Sequence, residues 1–247
     1  MTGPGKMRFL ITSSMSWAGC TVGMIMLGLL TGTVARAADA QTRTTTTAEA
    51  RADDHAVKLH AQFQKEAAAG HVDLLFLGDS ITGRMRGTAV WNKYYAPLKA
   101  ANFGIDGDRT QNLLWRLQNG ELDGIQPKVA VLLIGTNNGE SSEDVALGVK
   151  AILDEIRHRT PKTKTLLLAI FPLFEKDGSW RKKNEQTNKI IATYADGKDV
   201  VFLDIGDKFL APDGTILKDL LPDLLHPSEK GYAVWAEAIK NTLKAML

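Results

Sequence analysis

Short apolar runs alternate with segments of helical periodicity along most of this chain. The apolar runs cover residues 72–78, 100–104, 129–134, 165–171 and 199–203. Helical patterns cover residues 57–67, 110–119, 142–159, 181–196 and 229–246. Strands separated by helices are joined by crossovers, which build a parallel sheet with helices on both faces. The sequence therefore predicts a three-layer α/β/α, flavodoxin-like sandwich with about five parallel strands.

Composition sets the size of the folded unit and excludes one class of partner. The chain has 247 residues, of which 44% are hydrophobic and 23% are charged, so that a single domain with a real core is expected. Its 30 basic residues nearly balance 28 acidic residues, and the basic ones form no long run. Nucleic acid is therefore not a predicted partner. Oligomeric state is left open.

The N-terminal segment is typical of a secretory signal. Lys6 and Arg8 precede an uncharged stretch, residues 9–34, and small residues follow around Ala38. We interpret residues 1–38 as a signal peptide, residues 39–52 as a flexible linker and residues 53–247 as the domain. Export to the periplasm or the medium is the expected localisation. The alternative is a retained anchor, which would be the chain's one contact with a membrane.

Cleavage near Ala38 would also change the charge and the thiol content of the chain. Removing Lys6, Arg8 and Arg36 leaves 27 basic against 28 acidic residues, a net charge of about −1. Cys20, the single cysteine, lies in the leader. We therefore expect no disulfide and no cysteine-ligated metal in the domain.

Polar clusters follow the predicted strands. They occupy residues 78–80, 104–108 and 135–138, and a fourth, residues 223–226, precedes the last helix. Because carboxyl ends of parallel strands meet at one edge of a sheet, we expect these clusters to converge. Each also has a structural alternative: Ser80 or Asn137 could cap a helix, and Gly107 could serve a turn.

One histidine stands out as a general base. The chain has five His residues, and only His226 falls in a polar cluster, three residues after Asp223. This spacing can bring a carboxylate to the imidazole N–H and fix its tautomer. Ser80 would then have the base that a hydroxyl nucleophile requires. Asp223 and His226 could instead be loop residues beside a helix start.

Taken together, these blocks resemble the SGNH hydrolases, also called the GDSL esterase/lipase family. The resemblance implies that Ser80, Asp223 and His226 are catalytic and that Ser80, Gly107 and Asn137 form the oxyanion hole. It implies no metal and no cofactor. Asp79 is expected to hold the turn that carries Ser80.

A closer resemblance extends between the blocks. Residues 102–108, 114–122 and 127–129 look like the catalytic subunits of intracellular platelet-activating-factor acetylhydrolase, although Asp106 replaces a glycine of that subgroup. The resemblance implies hydrolysis of small-acyl, acetyl-type esters on a small molecule, a glycan or a lipid. A lysophospholipase-like lipid esterase is the alternative.

Two other functional classes and one aromatic cluster stay open at this point. The Gly-Asp pairs at residues 78–79 and 107–108 faintly match a metallophosphoesterase, although the histidines of that pattern are missing. An exported glycan-binding module without activity is the second class. Trp91, Tyr94 and Tyr95 could stack on a sugar, but their helical spacing favours the core.

Overall fold

A five-stranded parallel sheet forms the centre of the protein. The computed structural model describes residues 44–247. The strands are β1 (Leu74–Gly78), β2 (Ala100–Gly104), β3 (Val129–Leu133), β4 (Lys164–Leu168) and β5 (Val200–Leu203). They lie in the order β2-β1-β3-β4-β5. The predicted α/β fold with five parallel strands is confirmed.

The strand register brings three strand ends together. Gly78, the last residue of β1, lies beside Gly104 of β2 and Leu133 of β3. The three polar clusters that follow these strands therefore start from one edge of the sheet. This edge is where an open α/β fold places its ligands.

Seven α-helices accompany the sheet within residues 44–247. They are α1 (Asp54–Ala68), α2 (Ser80–Gly83), α3 (Ala89–Tyr94), α4 (Thr110–Arg116), α5 (Ser142–Arg159), α6 (Ser179–Ile191) and α7 (Glu229–Met246). The predicted 110–119 helix is shorter because the chain continues as a π-helical segment, Leu117–Glu121, with Gly120 at φ +100°. The predicted 181–196 helix likewise ends at Ile191 and continues as a 3₁₀ turn.

Side chains of β1 alternate between two cores. Leu75 and Leu77 pack with Phe63 of α1, whereas Leu74 and Phe76 pack with Trp235 of α7. This alternation follows from the two-residue period of a strand. Both faces of the sheet are therefore covered, as a parallel sheet requires.

The aromatic residues after the first cluster belong largely to the core. Trp91 and Tyr95 are buried, and their rings lie 5.3 and 4.6 Å from the ring of Phe76. Tyr94 is half-buried and donates a hydrogen bond to Glu237. The core interpretation of this cluster thus fits Trp91 and Tyr95, which have no face free for a sugar.

Residues 44–52, hereafter the N-terminal strap, fall in the predicted linker but make specific contacts with the domain. The Thr45 hydroxyl donates to the carbonyl of Asp144 at 2.6 Å, and Thr45 is buried. The backbone N–H of Glu49 donates to the carbonyl of Gln111 at 3.1 Å. Hydroxyl and backbone hydrogen bonds hold the strap, and a Thr- and Ala-rich composition does not reveal these in advance.

The remaining N-terminal predictions concern residues 1–43. The predicted signal peptide or anchor, residues 1–38, and the first linker positions, residues 39–43, lie outside the described residues. Within residues 44–247, no helix is both long enough and apolar enough to cross a bilayer.

Candidate active site

A short helix begins directly at the predicted nucleophile. Ser80 is the first residue of α2, and the Asp79 side chain caps this helix by accepting a hydrogen bond from Ile81 N–H at 2.9 Å. The capping role that the sequence left open for Ser80 is therefore filled by its neighbour. Tyr232 of α7 braces the same turn by donating to the Ile81 carbonyl at 3.0 Å. Ser80 is 6% exposed.

Ser80, His226 and Asp223 form a continuous hydrogen-bonded chain. Ser80 Oγ lies 2.9 Å from His226 Nε2, and His226 Nδ1 lies 2.6 Å from Asp223 Oδ2. The second oxygen of Asp223 accepts from the backbone N–H groups of His226 and Leu225 at 2.7 and 3.1 Å. Leu224, at φ +65°, closes this tight turn. The turn thus orients the carboxylate toward the imidazole.

The same contacts set the charge state of Asp223. Partial burial acts to raise the pKa of Asp223, but hydrogen bonds from the His226 ring and from the backbone outweigh it, so that the pKa lies below 3.8. Asp223 is therefore ionised at neutral pH. An ionised carboxylate on Nδ1 favours the tautomer that leaves Nε2 as a proton acceptor.

Asp79 has the opposite environment. It is completely buried, and burial raises the pKa of its carboxyl from 3.8 to about 7, even though the Ile81 N–H opposes the change. The nearby charges of Asp108 and Asp106 raise this pKa further. Asp79 thus carries a proton under mildly acidic conditions, and its observed role is the cap of the nucleophile turn.

The other predicted residues lie at the ends of β2 and β3. Gly107 adopts φ +82°, a backbone conformation that favours glycine. Asn137 Nδ2 donates to the carbonyl of Asp108 at 2.9 Å, so the β3 cluster contacts the β2 cluster. Within residues 44–247, the backbone N–H groups of Ser80 and Gly107 donate to no protein acceptor. These two N–H groups are the backbone donors that the sequence predicts for the oxyanion hole.

Asn138 has a different role from its neighbour. It is fully buried, accepts from Thr110 N–H at 3.0 Å and donates to Glu140 Oε2 at 3.0 Å. These bonds tie the loop after β3 to the start of α4. Asn138 thus supports the loop, and its place beside Asn137 in the sequence does not reveal the difference.

Sequence reasoning missed a buried chain of charges behind the site. Asp108, which is 0% exposed, accepts from Arg116 Nε at 2.8 Å, and Arg116 also pairs with Glu121. Glu121 in turn lies 2.8 Å from His60 Nδ1, and Arg51 of the N-terminal strap contacts the other oxygen of Asp108 at 3.2 Å. The available signal was Arg116 itself, a charged residue among the apolar residues of α4. Within residues 44–247, no group of three or more His, Cys, Asp or Glu side chains could hold a metal ion.

Comparison with known proteins identifies the family. The family model described as GDSL-like Lipase/Acylhydrolase matches residues 76–234, a span that includes every residue of the site. The chain belongs to this family. The resemblance expected from the sequence is confirmed, and as a GDSL acylhydrolase the protein is a hydrolase that acts on esters.

Curated relatives of this GDSL acylhydrolase include acetylhydrolase subunits. The chain is 36% identical over 201 residues to the human platelet-activating factor acetylhydrolase IB subunit alpha1, which covers 81% of this chain and 87% of the relative. It is 37% identical over 197 residues to the rat subunit alpha2, with 79% and 86% covered. The predicted subgroup resemblance is thereby confirmed.

Solved structures share the fold of this GDSL acylhydrolase. A Streptococcus pneumoniae protein matches with a TM-score of 0.67 at 24% identity, covering 76% of this chain and 92% of that one. An acetyl-xylooligosaccharide esterase from Geobacillus matches with a TM-score of 0.54 at 19% identity, covering 69% and 93%. At these identities the two matches support the fold.

Proposed function

We propose that this GDSL acylhydrolase is a serine esterase that cleaves small-acyl, acetyl-type esters. Ser80 is the nucleophile, His226 the general base and acid, and Asp223 the residue that orients the imidazole. The observation that carries the proposal is the Ser80–His226–Asp223 hydrogen-bond chain, with heavy-atom distances of 2.9 and 2.6 Å. These distances lie within the range that proton transfer requires.

The reaction proceeds in two steps. His226 Nε2 takes the Ser80 proton as Oγ attacks the ester carbonyl, and then returns it to the leaving alcohol. Water, activated by the same imidazole, attacks the acyl-enzyme and releases the acid. Asp223 stabilises the charged imidazole during both steps.

Three donors stabilise the oxyanion in this proposal. They are the backbone N–H groups of Ser80 and Gly107 and the side-chain amide of Asn137. Free N–H groups on Ser80 and Gly107 support this assignment. Asn137 donates one amide hydrogen to the Asp108 carbonyl, and the second amide hydrogen is left for the substrate.

Acyl-chain size is argued from the relatives and the sequence. The platelet-activating factor acetylhydrolase subunits are named for acetyl hydrolysis, and the sequence carries no lid-like apolar insertion for long chains. A lysophospholipase-like preference is the rival.

The primary test combines a variant with an acyl-chain series. Purified wild-type protein is assayed with p-nitrophenyl esters from acetate to decanoate, alongside Ser80→Ala and the matched control Ser141→Ala. Ser141 is a helix cap on α5, outside the site. We expect a maximum at acetate, loss of activity in Ser80→Ala and retention in Ser141→Ala. Preference for eight or more carbons contradicts the small-acyl assignment, and an active Ser80→Ala contradicts the mechanism.

We also propose that the protein is exported. Support comes from the charged start, the uncharged stretch and the small residues around Ala38. Expression of the full chain followed by N-terminal sequencing of the extracytoplasmic fraction tests this. A mature terminus near Ala38 is expected, whereas an intact N-terminus in the membrane fraction supports the anchor instead.

A further inference from the structure

Arg51 of the N-terminal strap reaches the loop that carries Gly107. Its Nη1 donates to the carbonyl of Asp106 and to Asp108 Oδ1, the latter at 3.2 Å. These two residues flank Gly107. An ideal Cβ built on Gly107 would lie 3.3 Å from Arg51 Nη1, so the guanidinium also packs directly against the glycine. Arg51 is therefore in contact with all three residues of this turn.

Because of peptide geometry, this contact also fixes the direction of the Gly107 N–H group. The Asp106 carbonyl and the Gly107 N–H belong to one planar trans peptide unit, in which they point in opposite directions. Holding the carbonyl on the Arg51 side therefore aims the N–H away from Arg51. Gly107 is the residue at which this peptide could most easily rotate, since glycine tolerates both signs of φ.

Through Asp108, Arg51 also affects the orientation of the Asn137 amide. The Asp108 carboxylate is fixed between Arg51 and Arg116, and its backbone carbonyl accepts from Asn137 Nδ2 at 2.9 Å. A shift of Asp108 would therefore move the acceptor that orients the Asn137 amide. Two of the three proposed oxyanion donors thus depend on residues that Arg51 holds.

Arg51 is itself held in place from behind. Its Nη2 lies 2.8 Å from Asp53 Oδ2, and Asp53 caps α1 by accepting from the N–H of Ala56. The Arg51 side chain is only 25% exposed, although Arg51 belongs to a segment of linker-like composition. A guanidinium group with partners on both sides is pre-organised, whereas the cation of a surface ion pair is not.

We infer that Arg51 is a positioning residue for the oxyanion hole, fixing the Gly107 N–H directly and the Asn137 amide through Asp108. This inference rests on the proposed serine esterase mechanism. It assigns a catalytic consequence to a segment that the sequence places outside the domain. Arg51 contacts no reacting atom, so its effect must appear in the oxyanion donors.

The test measures turnover per intact site. Arg51→Ala, Arg51→Lys and the control Arg157→Ala are assayed with p-nitrophenyl acetate, and active sites are counted by stoichiometric labelling with an organophosphonate. Arg157 forms exposed ion pairs with Asp196 and Asp199, outside the site. We expect kcat per labelled site to fall about 100-fold in Arg51→Ala with KM changed by less than about twofold, because donor misplacement weakens transition-state binding. Arg51→Lys should recover part of the loss, and Arg157→Ala should match wild type.

A double-mutant cycle separates positioning from a general loss of structure. If Arg51 acts through the oxyanion hole, combining Arg51→Ala with Asn137→Ala should lower kcat by less than the product of the two single effects. Full multiplication, or an unchanged kcat per labelled site in Arg51→Ala, overturns the inference. If Arg51→Ala does not fold, Arg51→Lys decides: a lowered kcat at unchanged melting temperature supports the inference, and wild-type kcat overturns it. Ser80→Ala, measured alongside, distinguishes the two proposals, because its full activity would overturn the esterase mechanism itself.

Discussion

Adjacent residues in this site have separate tasks, and the two asparagines after β3 illustrate it. Asn137 is half-buried and directs its amide toward the end of β2, whereas Asn138 is fully buried and bonded on both sides. In the proposed mechanism the Asn137 amide also acts on the substrate, whereas the Asn138 amide holds the loop. Their substitution should therefore affect different measurements.

Asn137→Ala should lower kcat by about 100- to 1000-fold with little change in stability, because it removes a proposed oxyanion donor. Asn138→Ala should instead lower the free energy of unfolding by about 1–3 kcal/mol, because buried partners lose their hydrogen bonds. Steady-state kinetics and urea unfolding of both variants check this. Equal loss of stability in both would contradict the division of roles.

The raised pKa of Asp79 predicts that the stability of the protein depends on pH. Its pKa is about 7 when folded and 3.8 in its ordinary state, so between these values the folded protein binds a proton that the unfolded chain has released. Stability contributed by this group therefore falls as pH rises from 4 to 7 and stays constant above that range. Asp79→Asn keeps the capping oxygen and removes the charge, so the variant should lose this slope.

Urea unfolding at several pH values measures the Asp79 effect as the difference between wild type and variant. Asp219→Asn is the matched control, since Asp219 is exposed and pairs with Lys230. The control should retain the wild-type slope. Identical slopes for wild type and Asp79→Asn would show that burial of this carboxyl has no energetic consequence.

At the scale of elements, the end of β2 packs directly against the nucleophile turn. An ideal Cβ on Gly104 would lie 2.4 Å from the Gly83 N–H nitrogen and 2.8 Å from the Asp79 carbonyl, and neither is a side chain that can move aside. A side chain here must separate β2 from α2. Glycine is required at this position by close approach of backbone to backbone.

Gly104→Ala should therefore lower both stability and kcat. Overpacking of this kind costs about 1–3 kcal/mol, and the displaced α2 carries Ser80. Gly139→Ala is the control, because nothing lies within 4 Å of its ideal Cβ. Thermal unfolding and esterase assays test both variants, and a Gly104→Ala protein with normal stability and kcat would contradict the argument.

Much of this architecture follows from local sequence, because buried strands and amphipathic helices have distinct periods. The observed limits of α5, α7 and β2 agree with the predicted limits to the residue. The short helix α2 was not, since four residues carry no period. Arg51 and Arg116 were missed for a related reason: their partners, Asp106, Asp108 and Glu121, become neighbours only after the chain folds.

At the scale of the whole molecule, α7 contributes both to the core and to the support of the site. Trp235 of α7 is 0% exposed and contacts the Phe171 ring at 5.0 Å, and Tyr232 on the same helix braces the nucleophile turn. Trp235→Ala should lower the free energy of unfolding by about 3–5 kcal/mol. Trp180→Ala, at a position 40% exposed, should cost less than about 1 kcal/mol. Equal losses in urea unfolding would contradict this placement of the core.

The hydrogen bond from Ser80 to His226 joins residues that are 146 positions apart. All strands after β1, and the helices between them, must be synthesised before the proposed base reaches the proposed nucleophile. In the proposed mechanism, a growing chain therefore cannot act as an esterase until His226 has been synthesised and has reached Ser80. Ester cleavage during translation would thus serve as a reporter of completed folding.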